Sequence, residues 1–358
     1  MAQKLPLSTF AMLGLCFCVM GCAETRMVMQ LSDASPGGSS KVWPSLPDTP
    51  RYRYVGELTG EVNFRPENAS GRSTATKLFD WLVGLTRENQ IPTVLQRPQS
   101  GVVDAEGRVY VTDVSKGAIF VFDKPAGKLE RWEMARANLR FLTPVGIALA
   151  GKNEVLVVDA DLHAVFRFDH KGNPLGEFGE AVLRRPTGLA FDAQHSIVYV
   201  SDTYSHDIKV FSQDGKLIKT IGQRGEADGE FNFPTHLAFA NNELYVTDTL
   251  NSRIQVFDAD GKLIRKFGQR GLHMGNLVRP KGVAVDKGGN VYVIESLYDQ
   301  LLVFNKQGET LLALGGEGSG VGQFYLPAGV WVDHQNYIYI ADMFNGRVTI
   351  LQFLGDLQ

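Results

Sequence analysis

Three histidines are the side chains of this sequence with the clearest capacity for chemistry. His163 and His206 each lie four residues after an acid, Asp159 or Asp202, that ends a strand-like run. His236 lies at the start of the next unit, within the stretch FPTHLAF. Three imidazoles that converge can bind zinc and leave a fourth position open for water, as catalytic zinc sites do. These histidines are therefore the candidate metal ligands, provided that the fold brings them together.

The elements that must position these residues are repeated along the chain. A proline recurs at intervals of about 45 residues, a period typical of propellers and solenoids. After each proline come four short runs rich in Val, Ile, Tyr and Phe, separated by turn signals such as Asp-Gly. Four strands in a unit of this length predict one antiparallel blade, and six units predict a six-bladed β-propeller. The repeat prolines are Pro98, Pro144, Pro186, Pro234, Pro280 and Pro327.

The fourth repeat carries the pattern most fully, as HLAFA, ELYVTD, RIQVFD and KLIRKFG in succession. This pattern resembles the NHL repeat, and the resemblance extends over residues 95–354 in six copies. It implies an all-β fold, namely a six-bladed propeller made of four-stranded antiparallel blades. The motif is specific for fold and much less specific for function, since members of this family bind different partners.

Closure of the ring is predicted to involve the start of the domain, residues 51–358. The sixth repeat ends after its third strand, and the run YRYVGEL at residues 52–58 is predicted to supply the missing outer strand. Between this run and the first repeat, apolar residues recur at helical spacing over residues 74–89. This segment predicts one short helical insertion that packs on the propeller.

The N-terminus carries a targeting signal. Lys4 precedes an apolar run over residues 5–20, too short for a comfortable membrane-spanning helix, and the sequence VMGC follows. This ending resembles the lipobox of bacterial lipoproteins. The resemblance implies a signal peptide over residues 1–21, lipid attachment at Cys22, export, and anchoring to the bacterial membrane, with the outer membrane favoured in a Gram-negative host. Residues 22–50 are rich in Pro, Gly and Ser and predict a flexible tether.

Composition excludes some classes of partner. The formal net charge is -3, so the chain lacks the basic excess on which nucleic-acid binding depends. All three cysteines lie within residues 1–22, so the remainder has neither a disulfide nor a thiolate metal site. We expect a monomeric propeller whose partners are the membrane, through the lipid, and a protein or glycan of the cell envelope.

An acid at the end of the second strand is common to all six repeats. A catalytic acid is needed once or twice, whereas six equivalent acids are explained by hydrogen bonds repeated around the ring. We therefore predict a structural role for them. They are Asp113, Asp159, Asp202, Asp248, Glu295 and Asp342.

The expected ligand face is the end of the propeller that carries the long connections between blades. The turns after the second strands open on this same end, and binding residues gather on loops held by a rigid scaffold. Exposed Tyr and Arg are favoured in protein and carbohydrate recognition, although Arg270 also belongs to a repeated Gly-Gln-Arg-Gly linker. The residues assigned to this face are His163, Tyr204, His206, His236, Arg253, Arg270, Tyr298 and Phe344.

Two functions follow from these features. The first is a membrane-anchored, non-catalytic scaffold without a cofactor. The alternative is a propeller enzyme, a metal-dependent lyase or lactone-type hydrolase with zinc or calcium at the channel mouth.

The segment VDADLHAVF is similar to the part of peptidyl-hydroxyglycine lyases that contributes one zinc ligand, which implies that role for His163. Those lyases place another ligand directly after the repeat proline, where this chain has Thr235 and then His236 on the opposite face of the strand. Ala328 occupies the third ligand position.

Overall fold

The computed structural model covers most of the repeat region and part of the N-terminal segment. The predicted signal peptide, Cys22 and the helix expected at residues 74–89 lie outside the described residues. No helix in the described part of the chain is long and apolar enough to cross a membrane. The described residues are 26–32, 41–67, 92–151, 154–271, 273 and 275–355.

Among the residues that the structure describes before the first blade, four strands are present. They are β1 (Met27–Met29), β2 (Val42–Trp43), β3 (Tyr52–Leu58) and β4 (Phe64–Pro66). β1 pairs with β4 and β2 pairs with β3, in both cases antiparallel. Two parts of the segment expected to be a flexible tether are thus hydrogen-bonded into sheets, and the expectation is corrected for these residues.

Side-chain contacts explain why the tether region is ordered around β2. The Lys41 Nζ donates a hydrogen bond of 2.9 Å to the Val321 carbonyl, and the ammonium lies 5.2 Å from the Trp43 ring centroid. The same indole lies close to Gly322, where a Cβ would approach within 2.2 Å of it. An aromatic residue and a neighbouring cation therefore attach this segment to the loop that joins blades five and six.

Five blades are four-stranded antiparallel sheets in which strands consecutive in sequence are adjacent. Short turns join them, many built on Asp, Asn or Gly, which adopt the conformations that tight hairpins need. Blade one contains β5 (Pro98–Val103), β6 (Val109–Asp113), β7 (Ala118–Asp123) and β8 (Lys128–Trp132). The hairpin of β9 (Met134–Arg136) and β10 (Leu139–Arg140) precedes blade two, which contains β11 (Pro144–Ala150), β12 (Glu154–Asp159), β13 (Ala164–Asp169) and β14 (Pro174–Phe178). Blade three contains β15 (Pro186–Asp192), β16 (Ile197–Asp202), β17 (Asp207–Ser212) and β18 (Leu217–Ile221). Blade four contains β19 (Pro234–Ala240), β20 (Glu243–Asp248), β21 (Arg253–Asp258) and β22 (Leu263–Phe267). Blade five contains β23 (Pro280–Val285), β24 (Val291–Glu295), β25 (Gln300–Phe304) and β26 (Thr310–Gly315).

Blade six combines the two ends of the domain. Its C-terminal strands are β27 (Val330–Val332), β28 (Tyr337–Asp342) and β29 (Arg347–Phe353). β3 pairs antiparallel with β29, and β2 adds a fifth strand outside it. The prediction of an all-β, six-bladed propeller closed by the N-terminal strand is confirmed. The helical elements among the described residues are short 3-10 turns, such as Glu61–Asn63 and Thr249–Asn251.

The hydrophobic core lies between neighbouring blades. Between blades three and four, for example, Val210 packs in one buried cluster with Leu244 and Phe257. The cluster that joins blade six to blade one includes Leu58 of β3 and Phe120 of β7. Every blade thus buries both faces of its second and third strands, which is why those strands read as continuous apolar runs. The inner strands surround a central cavity of about 270 Å³.

The acid that ends each second strand organises the loop before the first strand of the same blade. Asp113 accepts backbone hydrogen bonds from Gln96 and Arg97, at 2.6 and 2.9 Å, and from Ser115 and Lys116 in the following turn. The predicted structural role of the six acids is confirmed, because each carboxylate accepts hydrogen bonds from backbone N–H groups. Equivalent backbone bonds are accepted by Asp159, Asp202, Asp248, Glu295 and Asp342.

Candidate binding face

One turn position, four residues after the buried acid, has the same backbone conformation in all six blades. Its φ angles lie between 53° and 62°, in the left-handed region. Gly adopts this region without strain, and Asn, Asp and His tolerate it better than most other residues. Local backbone geometry therefore accounts for two of the three candidate histidines. The residues at this position are Gly117, His163, His206, Ser252, Asp299 and Gly346.

His206 joins blade three to blade four. Its side chain is 8% exposed, and its Nδ1 accepts a hydrogen bond of 3.2 Å from the Phe233 backbone N–H. The two rings meet edge to face with centroids 4.5 Å apart. Asp299 forms the equivalent hydrogen bond between blades five and six, since its carboxylate accepts the Leu326 backbone N–H at 2.6 Å. His206 is thus committed to a contact between blades.

The structure does not bring the three candidate histidines together. His163 is exposed, His206 is bonded to blade four, and His236 lies on an inner strand. Among the described residues, which include all three, no His, Cys, Asp or Glu side chains group in threes so as to hold a metal ion. The zinc ligand set suggested by the sequence does not fit this arrangement.

Four large apolar side chains occupy another shared turn position, two residues after the buried acid. They belong to blades three to six, and each is between 46% and 52% exposed. Exposed apolar side chains that recur on one surface are typical of interaction sites. Aligning the repeats at this position would have revealed the two leucines, which the sequence analysis missed. We call these residues the apolar arc: Tyr204, Leu250, Leu297 and Phe344.

Arginines orient both aromatic members of the arc. The Arg185 guanidinium carbon lies 5.4 Å from the Tyr204 ring centroid, and that of Arg97 lies 5.7 Å from Phe344. A second ring supports Phe344, since the Tyr325 centroid is 5.5 Å away. Side chains held in this way lose less conformational freedom on binding a partner.

Arg253 differs from its expected place on the ligand face. It is 8% exposed, and its Nε donates to the Asp248 carboxylate at 2.8 Å. Its Nη2 donates to the carbonyls of Ala227 and Glu230, at 2.8 and 2.9 Å. The guanidinium thus holds the long loop before blade four and is not available to a partner. The sequence could not distinguish this arginine from an exposed one.

Two other predicted residues lie nearer the surface. Arg270 is exposed in the connection between blades four and five, within the repeated linker. Tyr298 is half-buried and directly precedes the left-handed turn residue Asp299. Both remain candidates for the binding face.

His236 lies on a β-bulge. The register of β19 shifts between Pro234 and Leu237, so Thr235 and His236 together face one residue of β20. A bulge breaks the strict alternation of side chains along a strand, so the two residues do not follow the opposite-face pattern expected from the sequence. Corresponding register shifts follow the repeat proline in blades one, two, three and five.

Glycine occupies the His236 position in most blades because the next inner strand passes very close. A Cβ on Gly188 would lie 2.5 Å from the Thr235 carbonyl oxygen, and one on Gly282 would lie 2.6 Å from the Val330 nitrogen. Blade four alone places a ring here, whereas Ser100 is the corresponding residue of blade one. The His236 side chain is therefore a local alteration of the channel wall.

Hydrogen bonds define the tautomer of His236. The Thr249 hydroxyl donates to the Pro280 carbonyl at 3.0 Å, so the Thr235 hydroxyl donates to Thr249 at 2.7 Å. The Thr235 oxygen then accepts the Nδ1–H of His236 at 3.1 Å. This leaves Nε2 unprotonated, and that nitrogen is buried without a hydrogen-bond partner. Burial, together with the positive charge of Lys281, lowers the pKa of His236 to about 3.

Sequence comparisons agree with this architecture. Residues 277–354 match a family described as a 6-bladed beta-propeller, and residues 231–257 match the NHL repeat. The chain carries an NHL repeat within a six-bladed β-propeller. It is also similar to Protein brain tumor of Drosophila melanogaster, at 35% identity over 69 residues. That match covers 19% of this chain and only 7% of the Drosophila protein.

Solved structures of several propellers are similar to this NHL-repeat propeller. One is virginiamycin B lyase from Staphylococcus aureus, with a TM-score of 0.53 and 14% identity over 72% of this chain and 96% of that one. Another is an auxiliary nutrient binding protein from Bacteroides ovatus, with a TM-score of 0.55 and 14% identity over 72% of this chain and 69% of that one. Likeness at this level of identity shows a shared fold, which serves different functions in these proteins.

Proposed function

We propose that this propeller is a non-catalytic binding protein, attached to the bacterial cell envelope by lipid at Cys22, whose loop-rich face binds a partner protein. The observation that carries the proposal is the apolar arc, in which four consecutive blades present a half-exposed apolar side chain at one turn position. Such repetition is not needed for folding, since blades one and two have Ser115 and Asp161 there. The arc therefore favours an interaction surface.

A protein partner is favoured over a glycan. Leu250 and Leu297 offer neither hydrogen bonds nor a flat ring on which a sugar could stack. The aromatic members, Tyr204 and Phe344, are each backed by an arginine. Large apolar and aromatic side chains beside Arg are typical of protein interfaces.

The catalytic alternative is less well supported by the described residues. Of the three candidate ligands, the Nδ1 atoms of His206 and His236 are already engaged in hydrogen bonds, and the rings belong to different parts of the blades. The carboxylates of the six shared acids already accept hydrogen bonds from backbone N–H groups. Membership of a fold that also serves a lyase does not supply a reactive group.

Site-specific photo-crosslinking tests the proposed surface. A photoreactive amino acid would replace Leu297, of the arc, or Leu311, which is similarly exposed (46% and 53%) but lies on the outer strand of the same blade. We expect one defined envelope protein to crosslink at position 297 and not at 311 in living cells. Equal labelling at the two positions, or none at 297, would contradict the proposal.

A further inference from the structure

The chain is bonded to the propeller very close to the predicted lipid attachment site. Arg26 lies four positions after Cys22, and its carbonyl accepts the Glu67 backbone N–H at 2.9 Å. Six residues later, Ser32 exchanges two backbone hydrogen bonds with Glu57 of β3, at 3.0 and 3.1 Å. The segment at residues 26–32 is therefore part of the folded domain.

Apolar side chains fix the same segment. Met27, Met29 and Leu31 pack against the hydrophobic cluster that joins blade six to blade one. Leu31 also lies close to Gly56 of β3, where a Cβ would approach the Leu31 Cβ within 2.7 Å. Burial of these side chains, together with the pairing of β1 with β4, holds the segment in one place on the propeller.

Arg26 lies at the end of the propeller opposite to the apolar arc. A Cβ on Gly127, in the turn after β7, would lie 1.9 Å from the Met27 carbonyl oxygen. Arg26 also lines a cavity of about 520 Å³ together with Lys124 of that turn and Gln335 of the turn after β27. In an antiparallel blade the turns after the second and third strands lie at opposite ends of the third strand, and the arc occupies the turns after the second strands. We call the end near Arg26 the short-turn end, which includes residues 104–108, 124–127 and 333–336.

The covalent chain limits how far the short-turn end can lie from the lipid. Four fully extended residues span at most about 14 Å, from about 3.3–3.6 Å per residue. A strand of six residues, such as β7, is already about 20 Å long before the loops at its ends are added. The short-turn end can therefore reach a membrane to which Cys22 is attached, whereas the loop-rich face cannot.

We propose that the short-turn end lies against the membrane surface, so that the loop-rich face and the apolar arc are directed away from the lipid. The inference rests on the proposed lipid attachment at Cys22 and adds an orientation to it. Attraction to anionic lipid is not required, because Arg26 and Lys124 lie around the same cavity as Glu106 and Asp333. In this orientation the apolar arc is open to a partner protein.

Fluorescence quenching tests the orientation with two labelled positions on blade one. Ala126→Cys places a fluorophore in the turn after β7, and Ser115→Cys places it in the turn before β7. Both residues are exposed. The lipidated protein then offers one free thiol, since Cys16 and Cys18 belong to the predicted signal peptide and the sulfur of acylated Cys22 is blocked.

The purified lipidated protein is placed in neutral phosphatidylcholine vesicles, with or without a nitroxide quencher on the lipid headgroup. We expect the label at position 126 to lose most of its fluorescence to the nitroxide lipid. The label at position 115 should keep most of its fluorescence, because it lies farther from the lipid by about 20 Å, the length of β7. Neutral lipid removes the attraction of basic side chains to anionic headgroups, so a difference arises from the attachment of the chain.

Lengthening the connection provides the matched control. Inserting about twenty Gly and Ser residues between Ala23 and Glu24 gives a flexible link with a root-mean-square reach of about 25–30 Å. Either end of the propeller can then approach the lipid. We expect the difference in quenching between positions 126 and 115 to shrink, while attachment to the vesicles is unchanged.

The outcomes separate the orientation from the lipid attachment. Lipidated, vesicle-bound protein that is quenched equally at the two positions, or more strongly at position 115, would overturn the orientation and leave the attachment intact. Protein that carries no lipid and does not bind vesicles would contradict the attachment, and with it the orientation. If Ala126→Cys does not fold, Ala105→Cys, at an exposed position in the turn after β5, replaces it and carries the same expectation.

Discussion

The Arg347 Nη1 donates a hydrogen bond of 2.6 Å to the Glu57 carboxylate, 290 positions earlier in the chain. Its Nε donates at the same time to Asp342 at 2.8 Å. Both Glu57 and Arg347 are almost fully buried. This contact joins the C-terminal strand β29 to the N-terminal strand β3, so one charged network closes the ring.

Removing this arginine should destabilise the closure of the propeller. Arg347→Met leaves two buried carboxylates without their cation, which costs about 3–5 kcal/mol in comparable buried pairs. Urea denaturation of the full chain measures the loss. A double-mutant cycle with Glu57→Gln should give a coupling energy of about 1 kcal/mol or more, because the two side chains are in contact.

Arg253→Met is the matched control for this cycle. Arg253 binds its own acid and loop carbonyls in the same way, but it has no contact with β3. In the Arg253→Met background, Glu57→Gln should lower the free energy of unfolding by as much as it does in the wild-type chain. Additive effects of Arg347→Met and Glu57→Gln would show that the closure does not depend on their contact.

The two turn histidines should respond differently to glycine. Both have φ of 57°, so glycine relieves a backbone cost of about 1–2 kcal/mol at either position. His206→Gly also loses the bond to the Phe233 N–H and leaves that half-buried donor without this partner, which costs about 1–3 kcal/mol besides the lost ring contact. His163→Gly should therefore preserve or increase the free energy of unfolding, and His206→Gly should lower it. Equal changes in urea denaturation would refute the assigned role of His206.

Lipid attachment makes a prediction about location. Cys22→Ser should move the protein from the membrane fraction to the soluble fraction and abolish incorporation of labelled fatty acid, since the acyl chains supply the membrane affinity. Cys18→Ser is the matched control and should change neither property. Retention of Cys22→Ser in the membrane fraction without labelled lipid would indicate another mode of attachment.

The number of strands in each repeat was enough to predict how the ring closes. The contacts that order β2, between residues far apart in the chain, could not be predicted from the sequence. Residues 52–58 could be assigned to the last blade because the sixth repeat lacks an outer strand. The two residues of β2 carry no such signal, since proline follows Trp43 directly and their order depends on Lys41 bonding to Val321. The bulge that positions His236 likewise arises from register between strands, which hydrophobic periodicity does not encode.

The candidate face shows the same limit. Recurrence correctly identified the acids as structural, but it could not separate buried Arg253 from exposed Arg270. Both are arginines beside long loops, and only the carbonyls of Ala227 and Glu230, brought near by folding, bury the first. Side-chain burial within a blade is decided by such contacts and not by residue type.

The pKa of His236 makes acid sensitivity a test of its burial. Its folded-state value of about 3 lies below the ordinary value of 6.5, so the unfolded chain binds the proton more tightly. The corresponding stability is fully present above about pH 6.5 and is lost as pH falls toward about 3. At about pH 5 the loss amounts to about 2 kcal/mol, because that pH lies about 1.5 units below the ordinary pKa.

The variant His236→Gln removes the titrating group, so its free energy of unfolding should fall less than that of the wild type between about pH 7.5 and about pH 5. His163→Gln, at an exposed position, is the control for losing a histidine. Equal falls in the free energy of unfolding of the wild type and His236→Gln would show that the His236 ring is accessible to protons in the folded state.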